Sequence, residues 1–216
     1  MVADVGDPAA VEGAFATVRA GLGGVDGLVH AAAILGPIAP LAQSDPAAWA
    51  EVQRVNVVGA YHCLRAVLRT MPAEGGGAGT VLGITSGAAR NVVAWHSAYD
   101  TSKAAFEQLF LAAQADVADS GVALAVFDPG GVDTDMMAAV RAHDFPAVAA
   151  FRRLHQQGAL RPPSRVASVI AALLWAPPPL RSPLAVRRTS LQHLRCRAEE
   201  KRGHHGCLWR EPGPIA

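Results

Sequence analysis

Residues 80–103 read TVLGITSGAARNVVAWHSAYDTSK, and this stretch changes character twice within twenty-four positions. Thr80 to Thr85 is a short apolar, β-branched run of the kind that forms a strand buried on both faces. Ser86 to Asn91 is small and polar, a strand end that opens into a loop. From Ser97 onward the spacing is helical, with Ser97 and Asp100 three apart in the pattern of a capping box, and the helix is expected to run to about Asp119 and stop at Gly121. A buried strand, a polar loop at its carboxyl end and then a long helix make one half of a parallel crossover unit.

The same alternation continues in both directions. Pro8 to Leu22 is helix-like, with Asp7 as N-cap and Gly23 and Gly24 as its stop, and Asp26 to Ala33 is the next apolar run. Asp45 followed by Pro46 opens a helix expected to reach Met71. Beyond Gly121, Val122 to Phe127 is another buried strand and Val166 to Trp175 another helix. Alternating helices and buried strands imply an α/β fold, a doubly wound parallel sheet. In such sheets ligands bind beyond the carboxyl ends of the strands. Residues 31–36, 86–91 and 128–134 therefore outline one crevice.

Composition narrows the function classes. The chain has 216 residues, 51% apolar and 17% charged, with mean hydropathy +0.22, enough apolar material for one domain of about 175 residues and a tail. Net charge is +1, which demands neither nucleic acid nor an anionic membrane as partner. That balance hides an asymmetry: residues 1–175 carry 11 basic and 15 acidic side chains, residues 176–216 carry 8 and 3. The segment 176–216 reads as a basic, Arg/Pro-rich and irregular tail, without the aromatic interleaving of a nucleic-acid arm. Cys196, His204, His205 and Cys207 match no familiar zinc spacing, so no metal site is expected. Three scattered cysteines fit a reducing compartment, and the apolar runs are too short to span a membrane. A cytoplasmic protein is expected.

Four residues carry the chemistry. Ser86 ends a strand, Tyr99 and Lys103 lie four apart on one helix face, and Asn56 lies in the preceding long helix. A nearby ammonium favours phenolate, so this spacing predicts a tyrosine pKa drawn down by roughly 1–3 units toward useful acid/base strength. Ser86 would supply a hydroxyl for the reacting oxygen. These are the parts needed to move a proton onto or off a carbonyl oxygen.

On these residues, the segment 1–175 resembles the short-chain dehydrogenase/reductase family. Its YxxxK reads Tyr99-Asp-Thr-Ser-Lys103, its upstream serine is Ser86, its NxxG is Asn56-Val-Val-Gly59, and its PG turn is Pro129-Gly130 followed by Val132 and Thr134. The resemblance implies a Rossmann-like oxidoreductase in which a nicotinamide cofactor, NADP with NAD as the other possibility, gives a hydride to a small-molecule ketone or dicarbonyl while Tyr99 protonates the oxygen. It assigns Lys103 to the tyrosine and the nicotinamide ribose, Ser86 to the carbonyl, and Asn56 to a relay water. Pro129, Gly130, Val132 and Thr134 would border the nicotinamide and Asp4-Val5 the adenine. His30 and Ala32 stand in the turn where the family has Asn-Asn-Ala-Gly. The family implies a homo-oligomer paired through the helices at Asp45–Met71 and Ser97–Asp119. Thr85 to Asn91, Asp133 to Met136 and Phe151 to Ala167 are further similar to the sepiapterin reductase and benzil reductase branch. That similarity makes residues 136–160 a lid, with Trp95, Met136 and Met137 on the substrate wall.

The chain also departs from the family. The opening strand, glycine-rich turn and phosphate-binding helix have no counterpart, so the resemblance implies an N-terminal truncation of about fifty residues and two strands, which leaves the sheet incomplete. The glycines at 21–27 and 75–79 precede strands and cannot serve that purpose. The C-terminus is atypical. The alternative to an active reductase is therefore an inactive remnant unable to bind dinucleotide.

Overall fold

The computed structural model describes residues 1–71, 79–174 and 188–190. Four short strands, β1 (Gly27–His30), β2 (Gly79–Ile84), β3 (Val122–Asp128) and β4 (Arg188–Ser190), form one sheet in the order β1-β2-β3-β4. Every neighbouring pair is parallel, with Leu28 opposite Val81, Val81 opposite Leu124 and Phe127 opposite Thr189. Parallel neighbours cannot be joined by a hairpin, so the chain crosses over between strands through helices.

Those helices lie on both faces of the sheet. On one, Val81, Val122, Leu124 and Val126 pack against Ala60, Leu64, Val67, Phe106 and Phe110; on the other, Leu82 and Phe127 pack against Val166, Val169 and Ile170. Adjacent strand residues point to opposite faces, so both faces must be apolar, and β2 and β3 are apolar almost throughout. Gly83 is one exception. A Cβ there would lie 2.5 Å from Phe110 Cζ and 2.7 Å from Phe106 Cζ, and its absence lets the two rings lie on the strand backbone. The predicted doubly wound sheet is the observed one.

Several helix boundaries follow their caps. Helix α1 (Pro8–Leu22) starts with the Asp7 side chain accepting from Ala9 N and ends at Gly23, whose φ of 82° is left-handed. Helix α2 (Pro46–Gln53) starts with Asp45 accepting from Ala48 N. The single helix expected from Asp45 to Met71 is instead three pieces: α2, a π-helical turn at Arg54–Val58, and α3 (Gly59–Leu68). Helix α4 (Ser97–Asp116) ends three residues before the expected Asp119, and Ser97 caps nothing. The cap position is His96, and Asp100 Oδ2 instead accepts from Val93 N, fixing the loop ahead of the helix. Two short helices follow β3, α5 (Asp135–Ala142) and α6 (Val148–Gln156), and then α7 (Pro163–Leu174).

The tail differs from its reading at one place. Arg188–Ser190 pairs alongside β3 as β4, although its residues lack an apolar strand pattern. The physical reason is that β3 offers an unpaired row of backbone donors and acceptors, which any extended segment can satisfy. Cys196, His204, His205 and Cys207, whose spacing fits no zinc site, lie outside the described residues. No helix among the described residues is long and apolar enough to cross a membrane.

Candidate active site

The π-helical turn is where the site begins. One extra residue in the turn widens the helix and rotates the side chain at its centre. That side chain is Asn56, which is 1% exposed. Its Oδ1 accepts from Ile34 N at 2.8 Å, and its Nδ2 donates to Ile34 O at 2.9 Å and to Ser102 Oγ at 2.9 Å. Ser102 Oγ in turn donates to Tyr99 O at 2.7 Å. The Asn56 amide therefore ties the loop after β1 to the first turn of α4, and all of these polar atoms are committed within the protein.

Ser86 ends the extended segment after β2 and caps a 3-10 turn at Gly87–Ala89, accepting from Ala88 N at 3.2 Å. It also hydrogen-bonds the Tyr99 hydroxyl. Tyr99 and Lys103 share one face of α4 as their spacing requires, with Lys103 Nζ 5.6 Å from the centre of the tyrosine ring. The electrostatics differ from the expectation. Burial pushes the Tyr99 phenol up to about 12, against a downward pull from Ser86, with Asp128 and Asp100 adding to the rise. Lys103 is 4% exposed, and burial pushes it down to about 8. Each group is disfavoured in its charged form by the same dry surroundings, and the ammonium turns its nearest hydrogen bond to Ile84 O, at 3.0 Å, not to the phenol. Tyr99 is thus a neutral donor at neutral pH, while Lys103 remains largely protonated.

The residues expected around a nicotinamide gather at the end of β3. Gly130 has a φ of 68° and donates its N–H to Asp128 Oδ1 at 2.8 Å. Above the turn lies Arg161, whose Nη1 donates to Pro129 O at 3.3 Å and would lie 2.6 Å from any Cβ at position 130. Val132 pairs with Arg161 in an isolated parallel bridge, and Thr134 caps α5 by accepting from Met137 N. Helices α5 and α6 therefore leave and return at one point. They pack over the loops at 35–38 and 93–95, where Trp95, with a left-handed φ of 73°, contacts the cluster of Val140, Phe145 and Val148. Met136 and Met137 are partly buried on α5 and do not join that cluster.

The other sequence-predicted contacts are placed less uniformly. His30 is 4% exposed at the end of β1 with its ring 5.7 Å from that of Phe106, and burial first, then the Lys103 charge, draws it down to about 4. Ala32 is exposed just beyond it. Val5 packs against Gly59, whose missing side chain makes the space. Asp4 is exposed, accepting from Gly6 N at 2.8 Å and pairing with Arg54 Nη2 at 3.0 Å, and these two contacts hold its carboxyl below the usual range.

Sequence reading passed over a second layer of polar residues. Ser102 was hidden because nothing in a lone serine announces a hydrogen bond to a distant asparagine. Glu107, one turn past Lys103, is 5% exposed at its side chain and accepts from Thr85 Oγ1 at 3.0 Å. Arg90 pairs with Asp128 at 3.0 Å. The i, i+4, i+8 run of Tyr99, Lys103 and Glu107 was the one available signal.

Comparison with known proteins bears on the family and the fold. The short chain dehydrogenase profile matches residues 1–144. A cis-4-hydroxycyclohexanecarboxylate dehydrogenase of Sinomonas cyclohexanicum is 33% identical over 170 residues, 79% of this chain and 66% of that one. A benzil reductase of Bacillus subtilis is 40% identical over 101 residues, 44% of this chain and 41% of that one. Among solved structures, an actinorhodin polyketide ketoreductase variant with NADPH superposes with a TM-score of 0.76 at 26% identity, over 88% of this chain and 75% of that one. The chain spans between 41% and 66% of the length of four curated relatives it matches. With that profile running through Asn56, Ser86, Tyr99, Lys103 and the Pro129-Gly130 turn, on a sheet wound as theirs is, the chain belongs to the short-chain dehydrogenase/reductase family.

Proposed function

We propose that the chain is the catalytic part of an NAD(P)-dependent oxidoreductase that reduces a ketone or dicarbonyl to a secondary alcohol. The observation that carries this reading is a neutral, partly buried Tyr99 phenol hydrogen-bonded to Ser86, with a buried ammonium one turn away, at the carboxyl ends of parallel strands. When bound, the nicotinamide cofactor supplies a hydride to the carbonyl carbon. Ser86 donates to the carbonyl oxygen, and Tyr99 passes its hydroxyl proton to that oxygen as negative charge develops there.

The donor set fits the nicotinamide end of such a cofactor. An ammonium has three N–H bonds, and Ile84 O takes one from Lys103, so the side chain has donors left for ribose hydroxyls. Tyr99, Pro129, Gly130, Val132 and Thr134 would border the nicotinamide and Asp4 and Val5 the adenine, with Ala32 and the buried His30 in the turn between. Trp95, Met136 and Met137 are proposed for the substrate wall under the lid formed by α5 and α6. NADP preference and a dicarbonyl substrate follow the likeness to benzil reductase; cytoplasmic location and pairing into a homo-oligomer follow the family.

The test has two arms. Titration with NADPH and with NADH, followed by calorimetry, is expected to give saturable binding with NADPH favoured. Tyr99→Phe is expected to lower kcat for reduction of a benzil-type diketone by about 10²-fold or more with little change in KM. A variant that kept most of its rate would overturn the reading.

A further inference from the structure

The Arg90 side chain touches the three elements that carry the proposed chemistry. It belongs to the turn that begins at Ser86, where its backbone N–H donates to Gly87 O at 3.0 Å. Its guanidinium crosses to the end of β3, with Nη2 3.0 Å from Asp128 Oδ2, and its Nη1 lies 3.6 Å from Glu107 Oε1 on α4. Glu107 Oε1 also accepts from Thr85 Oγ1, the last residue before Ser86. Asp128 Oδ1 holds the N–H of Gly130. One cation thus joins the Ser86 turn, the helix of Tyr99 and Lys103, and the Pro129-Gly130 turn.

Neither carboxylate could be left alone at this place. The side chains of Asp128 and Glu107 are 15% and 5% exposed, so water screens them poorly, and Asp128 acts directly on the Tyr99 phenol. We propose that Arg90 is a positioning residue for the Ser86–Tyr99 pair: it pins the three elements together and offsets part of the negative charge that Asp128 presents to the phenol. The inference rests on the proposed role of Tyr99 as proton donor. The charges that bear on the phenol are Asp128 from β3 and Asp100 from its own helix, with Lys103 Nζ 5.6 Å from the ring centre, and Arg90 is paired to the first of these. Lys103 in turn faces His30, which is neutral at neutral pH.

The chain has two tyrosines, so Tyr61→Phe leaves Tyr99 as the one reporter. In that background, fluorotyrosine, whose phenol is more acidic than tyrosine's, is incorporated and its 19F shift followed against pH in the full chain. Arg90→Met is expected to raise the midpoint by about half a pH unit or more, and Asp128→Asn to lower it. The double variant is expected to return to within about 0.2 units of the parent, because both members of an ion pair are then removed together. An unmoved midpoint in Arg90→Met, or a double variant displaced further than Arg90→Met, overturns the proposal. Should Arg90→Met fail to fold, Asp128→Asn alone decides, since an unchanged midpoint there removes the charge that Arg90 is held to offset. The readout needs no turnover. Coupled midpoints in a chain that reduces no ketone would refute the reductase reading and leave the clamp, and reduction without coupling would do the reverse.

Discussion

Lys103 and Tyr99 show how a site can be legible in its residue types and misread in its charges. The four-residue spacing correctly put them on one helix face, but spacing carries no information about dryness. Burial pushes the phenol up to about 12 and the ammonium down to about 8. A buried, charged lysine held by one carbonyl costs stability that function requires. Lys103→Met is therefore expected to stabilise the chain by about 2 kcal/mol in urea denaturation while abolishing reduction, and a destabilised variant would contradict this. His30 supplies the matching pH dependence. Its folded value, about 4, lies below the ordinary 6.5, so the unfolded chain binds the proton more readily between them. The associated stability is complete above pH 6.5 and is lost as pH falls toward 4, about 3 kcal/mol in all. Thermal midpoints measured across that window should fall steeply in the parent chain and more gently in His30→Asn.

At the scale of elements, caps and glycines were the readable features. Asp7, Gly23 and Asp45 set helix ends as their chemistry requires. The π-helical turn was not readable, because an apolar pattern running from Asp45 to Met71 has the same period with or without one inserted residue. Its position is decided by what Asn56 meets in the fold, namely Ile34 and Ser102, which lie far away in sequence. The capping box at Ser97 failed for a similar reason: Asp100 found a better partner in Val93 N. Gly83 is another position whose role only the fold reveals, since its neighbours Phe106 and Phe110 come from the next helix. Gly83→Val would drive two methyls into Phe106 and Phe110, and is expected to cost about 2–3 kcal/mol or leave the chain insoluble. Calorimetric melting would show whether the rings yield instead.

For the whole molecule, the alternation of helix and strand was enough to give the winding of the sheet, because a parallel pair admits few other connections. It could not give β4, whose pairing depends on the free edge of β3 and not on its own residues.

The parallel connections have a consequence for how the protein comes into being. Ser86, Tyr99 and the Pro129-Gly130 turn arrive from different strands and helices, and no two neighbouring strands meet until the helix between them has folded back. Contacts of this kind are remote along the chain and form late and together. Catalysis and native structure should thus appear in a refolding experiment with a single time constant, so that the first turnover marks the moment at which the sheet is complete.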